Sequence, residues 1–185
     1  MKQFLTGNIL LVLCCVFYLA WWLIAFKPVG AIKGIRSGWL LIPAAVFGAA
    51  AVLMICKGIS ETPNGTMLFP TLHAAAAGII LYVILLAGTW LIMRRPVTTE
   101  LFLIVGWAVL ASVEISALYG HGAYGRTAAL TFIGCIIVMA VVSLVCYLLY
   151  YNLDSVKSYY DGMIPLVIVA VTTVIMSITM EHGSL

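Results

Sequence analysis

The sequence predicts an all-α fold, that of a polytopic integral membrane protein built as a bundle of six transmembrane helices. Hydrophobic residues make up 65% of the 185 residues and charged residues only 8%, whereas soluble domains carry about 25% charged residues. The apolar residues fall into six segments, each close to the roughly 20 residues that a helix needs to cross a bilayer. These segments are residues 8–26, 38–56, 71–93, 99–119, 127–150 and 163–180.

The ends of the first three segments carry residues typical of a membrane surface. The first segment ends at Phe26 and is followed by Lys27 and Pro28, which place a charge and a helix breaker directly after it. Trp39 begins the second segment and Trp90 lies near the end of the third. Because tryptophan rings prefer the headgroup level, these positions indicate where the helices leave the hydrocarbon core.

Small residues recur at helical spacing in the second and third segments. Ala44 and Gly48 are four residues apart in the second, and residues 74–78 of the third read Ala-Ala-Ala-Ala-Gly. Small side chains let two backbones approach closely, which favours helix association in lipid. We therefore expect helices 2 and 3 to touch along these faces, with a homodimer seam on the same faces as the alternative.

The last three segments are also delimited by their flanking residues. Thr98 or Thr99 is placed to cap the start of the fourth helix, and Glu100 suits the positive end of its dipole. The fifth and sixth segments are separated by a link, residues 151–162, with tyrosines on both sides of it. The whole chain is therefore expected to form one six-helix domain, residues 1–185.

The cations divide unevenly between the two sides of the predicted bundle. Three of the nine, Lys2, Lys57 and Arg126, lie on one side. The other six lie in the links after helices 1, 3 and 5: Lys27, Lys33, Arg36, Arg94, Arg95 and Lys157. The positive-inside rule assigns those links to the cytoplasm. We therefore expect a multi-pass protein of the cell (cytoplasmic) membrane with both termini on the outer side.

One acid lies well inside a predicted transmembrane helix. Glu114 is in the fourth segment, six residues before Gly120, and therefore about 9 Å below that helix end. Ionisable residues at such depth usually face the interior of a bundle or a water-filled cavity. Glu114 is therefore the candidate for the central polar contact of a functional site.

Other polar and aromatic residues collect at the same predicted end of the bundle. His73 lies three residues after Pro70, so it is near the start of the third helix. Trp107 lies one heptad before Glu114 and His121 one heptad after it, so all three share a helix face. The candidate ligand-binding residues are Glu114, His73, His121, Tyr119, Tyr124, Arg126 and Trp107.

The sequence does not point to a metal site or a bound cofactor. Its five cysteines form no Cys-x-x-Cys pair, and the chain contains neither His-x-x-x-His nor Glu-x-x-His. These are the spacings with which helices and turns usually hold metal ions. We therefore expect no metal and no cofactor.

Three functions remain open from the sequence. The first is binding or transport of a small solute through a pocket that opens to the outer side. The second is a small membrane enzyme acting on a lipid or quinone-like substrate, with Glu114 and His73 as acid and base. The third is a membrane scaffold, in which Glu114 pairs with His73 or Arg126 and ties helices together. The expected partners are membrane lipid and a small solute, with a second copy or another subunit as an alternative. Nucleic acid is not expected, because the net charge is only +3 and its cations are scattered.

Overall fold

The computed structural model describes residues 1–26, 37–63, 65–93 and 99–183. These residues are almost entirely helical, and none of them lies in a strand. The helices are α1 (Lys2–Ala25), α2 (Leu41–Ser60), α3 (Thr71–Met93), α4 (Thr99–Gly120), α5 (Arg126–Tyr150), α6 (Ser155–Asp161) and α7 (Ile164–Gly183). A single 3₁₀ turn, Ser37–Leu40, leads into α2.

Six stretches of the described chain are helical, long and apolar enough to cross a membrane, which confirms the predicted number of spanning helices. They are Lys2–Ala25, Gly38–Ser60, Thr71–Leu91, Leu101–Gly120, Arg126–Tyr150 and Ser155–Met180. The fold is therefore all-α and consistent with a multi-pass membrane protein.

Two helix ends differ most from the prediction. The first helix begins at Lys2 rather than at residue 8, and α2 continues to Ser60 rather than ending at residue 56. The two extensions pack on each other, since Phe4 is fully buried and its ring lies against Gly58. Tertiary packing therefore continues both helices beyond the apolar segments that the prediction used as their limits.

The predicted link 151–162 contains a helix of its own. Asp154 has the extended backbone of an N-cap residue, and α6 follows it from Ser155 to Asp161. The Ser158 hydroxyl donates to the carbonyl oxygens of Tyr150 and Leu153, both at 2.9 Å. These bonds fasten α6 to the end of α5.

The contacts divide the chain into two compact units. Unit 1 comprises residues 1–61 and 145–185, and unit 2 comprises residues 62–144. Unit 1 contains α1, α2, α6, α7 and the last turns of α5, whereas unit 2 contains α3, α4 and the rest of α5. The prediction of one six-helix domain stays a prediction.

In unit 1 the small residues of α2 face α1. A Cβ atom on Gly48 would lie 3.1 Å from the Cys14 sulfur, and Phe17 stacks on Phe47 with ring centroids 5.6 Å apart. Ala44, one turn before Gly48, is buried. Gly48 therefore packs closely on α1, and the expected contact of α2 with the third helix stays a prediction.

In unit 2 the small residues of α3 face α4. A Cβ atom on Gly78 would lie 2.5 Å from the Val109 Cγ2 atom, so the two helices meet closely at this point. Tyr82, one turn further along α3, contacts Phe102 edge-on with ring centroids 6.0 Å apart. Gly78 is therefore a close-packing position, and within unit 2 its partner is α4.

Several sequence predictions fall outside the described residues. Five of the six cations assigned to the inner side are among them: Lys27, Lys33, Arg36, Arg94 and Arg95. Thr98, one of the two proposed caps of the fourth helix, is also outside. Only Lys157 of the inner cations is described, and its ammonium group lies 3.8 Å from the Asp154 carboxylate on α6.

Candidate functional site

The register of α3 against α4 determines which candidate residues lie at the same level. Gly78 lies against Val109, and the Phe69 backbone N–H, just before α3, donates to the Ser116 hydroxyl oxygen at 3.3 Å. The two helices are therefore antiparallel. With this register the level of Glu114 on α4 corresponds to residues 71–73 of α3.

His73 and Glu114 nevertheless point in different directions. At 3.6 residues per turn, His73 lies roughly 140° around α3 from Gly78, and Glu114 lies roughly 140° around α4 from Val109. Both side chains therefore point away from the contact between these helices, and His73 is exposed. The structure does not bring this pair together, and a direct acid–base pair across α3 and α4 is not favoured.

Glu114 is buried by protein. Only 2% of its surface is exposed, and it lies in a stretch of α4, residues 113–118, in which every residue is buried. A helix that is buried on all sides is surrounded by protein rather than by lipid. Because an acid that faces lipid is costly, we expect Glu114 to be surrounded by protein, as it is here.

The end of α4 is shaped by a glycine in the left-handed conformation. Gly122 has φ +75°, its N–H donates to the Tyr119 carbonyl, and the Ala123 N–H donates to the Leu118 carbonyl. This pattern is the Schellman motif, and it normally brings the residues in the positions of Leu118 and Ala123 into apolar contact. Both are buried. The motif ends α4, and residues 123–125 then lead into α5.

Two candidate residues of the α4–α5 link are held by contacts inside unit 2. The His121 Nε2 atom lies 2.9 Å from the Thr62 hydroxyl oxygen, which joins this link to the start of the 62–70 segment. Tyr124 is buried, and its ring lies 5.1 Å from that of Phe132 on α5. His121 is therefore at the exposed end of α4, whereas Tyr124 is buried.

The remaining candidates lie around these two. Trp107 and Tyr119 are half-buried on α4, and Trp107 is two turns from Glu114 on the same face. Arg126 is the first residue of α5 and is exposed. The cluster thus consists of one deep acid, Glu114, and a shallower group of basic and phenolic side chains. The pairing of Glu114 with Arg126 stays a prediction.

Two polar residues outside the predicted cluster have structural positions that the sequence analysis missed. Ser116 is fully buried, and its hydroxyl group joins α4 to the backbone at Phe69. Asp161 is buried at the end of α6, although the sequence places it in a polar link. Neither residue has a sequence signal of its own, because a serine in a membrane helix and an aspartate in a link are both common.

Chemically, the described residues offer a carboxyl group in an enclosed position and donors near a helix end. Among them, no group of three or more His, Cys, Asp or Glu side chains is arranged to hold a metal ion. The arrangement instead suits hydrogen bonding, charge neutralisation or proton binding at a single carboxyl group.

Comparison with known proteins gives no relative for this arrangement. No protein-family model matches the chain, and neither a curated protein nor a solved structure matches it.

Proposed function

We propose that the protein binds a small polar solute, or a coupling proton, at Glu114 and passes it across the cell membrane. The observation that supports this proposal is the burial of Glu114, 2% exposed, inside a membrane-spanning helix. A carboxyl group is costly at such a position and is usually retained in membrane helices for binding, ion or proton transfer.

The route into the site would start at the end of α4. His121 and Arg126 are exposed there, and Glu114 lies about 9 Å deeper along the helix. In this proposal the shallower side chains attract the solute and Glu114 makes the inner contact. The predicted topology, with both termini outside, makes this the outer side of the membrane.

The enzyme alternative receives less support from the geometry. It requires Glu114 and His73 to act on one substrate, whereas the two side chains point away from their shared helix contact. The scaffold alternative, in which Glu114 only joins helices, is tested by the stability of Glu114→Gln. Solute binding needs only Glu114 and an approach from one end, so it is the function that the described residues support best.

Flux into liposomes tests the proposal. The purified protein is reconstituted, and entry of glycerol, urea, acetate and alanine is followed by light scattering, with proton entry followed by an internal pH dye. We expect at least one flux above that of empty liposomes, lost in Glu114→Gln and kept in Asp154→Asn, which removes an exposed carboxylate. Empty-liposome rates for every probe and for protons would contradict the proposal.

A further inference from the structure

A second buried carboxyl group lies in unit 1, far along the chain from Glu114. Asp161 ends α6 and is 9% exposed. Its Oδ2 atom is buried and has no hydrogen-bond partner among the described residues. Because a buried carboxylate oxygen without a donor is costly, such an atom needs a physical explanation.

Three helices meet around this carboxyl group. The Cys146 thiol of α5 interacts with the Asp161 side chain, but it makes no hydrogen bond to Oδ2. The next residue, Gly162, lies directly against the indole ring of Trp22 on α1. Tyr150, one turn after Cys146, has its ring 6.0 Å from that of Trp22. Asp161 is therefore buried where the turn after α6 meets α1 and α5.

Aromatic rings form one side of this region. Trp22 also stacks on Phe26 with ring centroids 4.4 Å apart, and its indole N–H donates to the Tyr159 carbonyl at 3.1 Å. The Tyr159 hydroxyl in turn donates to the Leu23 carbonyl at 3.3 Å. These bonds hold the indole and phenol rings in place, and the indole lies against Gly162, the residue after Asp161.

We propose that Asp161 and the aromatic group of Trp22, Phe26, Tyr150 and Tyr159 form a site for a primary ammonium group. The carboxylate supplies the negative charge, and Oδ2 supplies an acceptor that no described residue uses, so the ligand is a cation that carries N–H donors. Aromatic faces attract the same cation through their quadrupoles.

The described part of the chain supplies neither a cation for this position nor a metal site. Lys157 on α6 is 70% exposed and lies beside Asp154 instead. No group of three His, Cys, Asp or Glu side chains among the described residues surrounds Asp161, so a multiply ligated metal ion is not favoured. A quaternary ammonium would interact with the rings but would leave Oδ2 without a donor.

The ammonium group has two sources, and the experiment separates them. One is a soluble amine, and the other is an ethanolamine lipid headgroup at the membrane surface, where aromatic residues of spanning helices usually lie. The site does not depend on the proposed role of Glu114, since Asp161 belongs to unit 1 and Glu114 to unit 2.

Equilibrium dialysis of the purified protein with labelled ethanolamine tests binding of a soluble amine. Binding of the lipid headgroup is tested by adding phosphatidylethanolamine to phosphatidylcholine nanodiscs that hold the protein and measuring its midpoint temperature of unfolding. We expect binding in at least one of these two measurements. Ethylamine should displace the bound ligand, and choline or potassium should compete at least tenfold more weakly. Binding of free ethanolamine identifies a soluble amine, whereas a stability gain only with phosphatidylethanolamine identifies the lipid.

Variants assign the binding to Asp161. Asp161→Asn keeps the size of the side chain and is easier to bury, so it should fold, and we expect it to lose the binding at least tenfold. Asp154→Asn on the same link should bind as the parent does. The proposal is overturned if neither ethanolamine nor phosphatidylethanolamine binds, if choline competes as well as ethylamine, or if Asp161→Asn binds normally. The choline comparison needs no variant, so a folding failure does not remove the test.

Discussion

Glu114 and His73 lie at the same level of the α3–α4 pair but on opposite sides of it. The register set by Gly78 against Val109 gives the shared level, and the helical positions give the opposite sides. One residue is therefore enclosed by protein while the other is exposed. Any function of Glu114 that needs a basic partner must draw it from elsewhere than the face of α3.

The contact of Gly78 with α4 can be tested by adding a single methyl group. We expect Gly78→Ala to lower the free energy of unfolding by about 1–3 kcal/mol, because its Cβ atom would overlap Val109 Cγ2. Gly88→Ala in the same helix is the control, since nothing lies within 4 Å of its Cβ position. That variant should be neutral or stabilising through helix propensity.

The measurement is unfolding of the purified protein in mixed detergent, followed by circular dichroism. Adding Val109→Ala to Gly78→Ala should recover part of the loss, because it removes the overlapping methyl groups. Equal stability of Gly78→Ala and Gly88→Ala would show that this helix contact is absent.

The left-handed residue after α4 can be tested in the same way. Gly122→Ala should lower the free energy of unfolding by about 1 kcal/mol, since a Cβ atom is disfavoured at φ +75°. Gly125→Ala, in the same link and with open space around it, should change it little. A Gly122→Ala variant as stable as the parent would contradict the Schellman motif at this position.

The Ser116 hydroxyl should hold the 62–70 segment against α4. Ser116→Ala removes the acceptor of the Phe69 N–H, and we expect a loss of about 1 kcal/mol. Faster protease cleavage within residues 62–70 should accompany the loss, because that segment is then less firmly held. Ser112→Ala removes the same group from the same helix and is the control. Unchanged cleavage in Ser116→Ala would mean that this bond does not fasten the segment.

The orientation in the membrane is testable by cysteine labelling of intact cells. In a background without native cysteines, we expect Lys2→Cys to react with a membrane-impermeant maleimide from outside. Lys157→Cys, an exposed position on the opposite side in this topology, should react only after permeabilisation. The reverse pattern would invert the assignment that the cation distribution predicts.

The sequence was sufficient for the number of helices but not for their contacts. Length and apolar composition determine which segments can span a bilayer, and all six predicted segments are helical in the structure. The neighbour of Gly48 could not be predicted, because a small residue favours close approach without selecting a partner. The same holds for Gly78, whose contact with Val109 depends on the order in which the helices pack.

The candidate site was predictable in part for a similar reason. The depth of Glu114 follows from its distance to the helix end, and its burial follows from the cost of a lipid-facing acid. The direction of His73 does not follow, because apolar residues cover the whole circumference of α3 and no polar face orients it. Asp161 was missed because a two-turn helix in a polar link leaves no periodic signal long enough to recognise.

The central claim is that Glu114 binds what the protein transports rather than only joining helices. The most direct test measures flux and midpoint temperature of unfolding on the same preparation of Glu114→Gln. We predict at least a tenfold fall in the flux of the transported probe, with a midpoint temperature close to that of the parent and loss of any pH dependence of flux. A Glu114→Gln protein with the parent's flux, or one whose lower flux only follows a lower midpoint temperature, would contradict the claim.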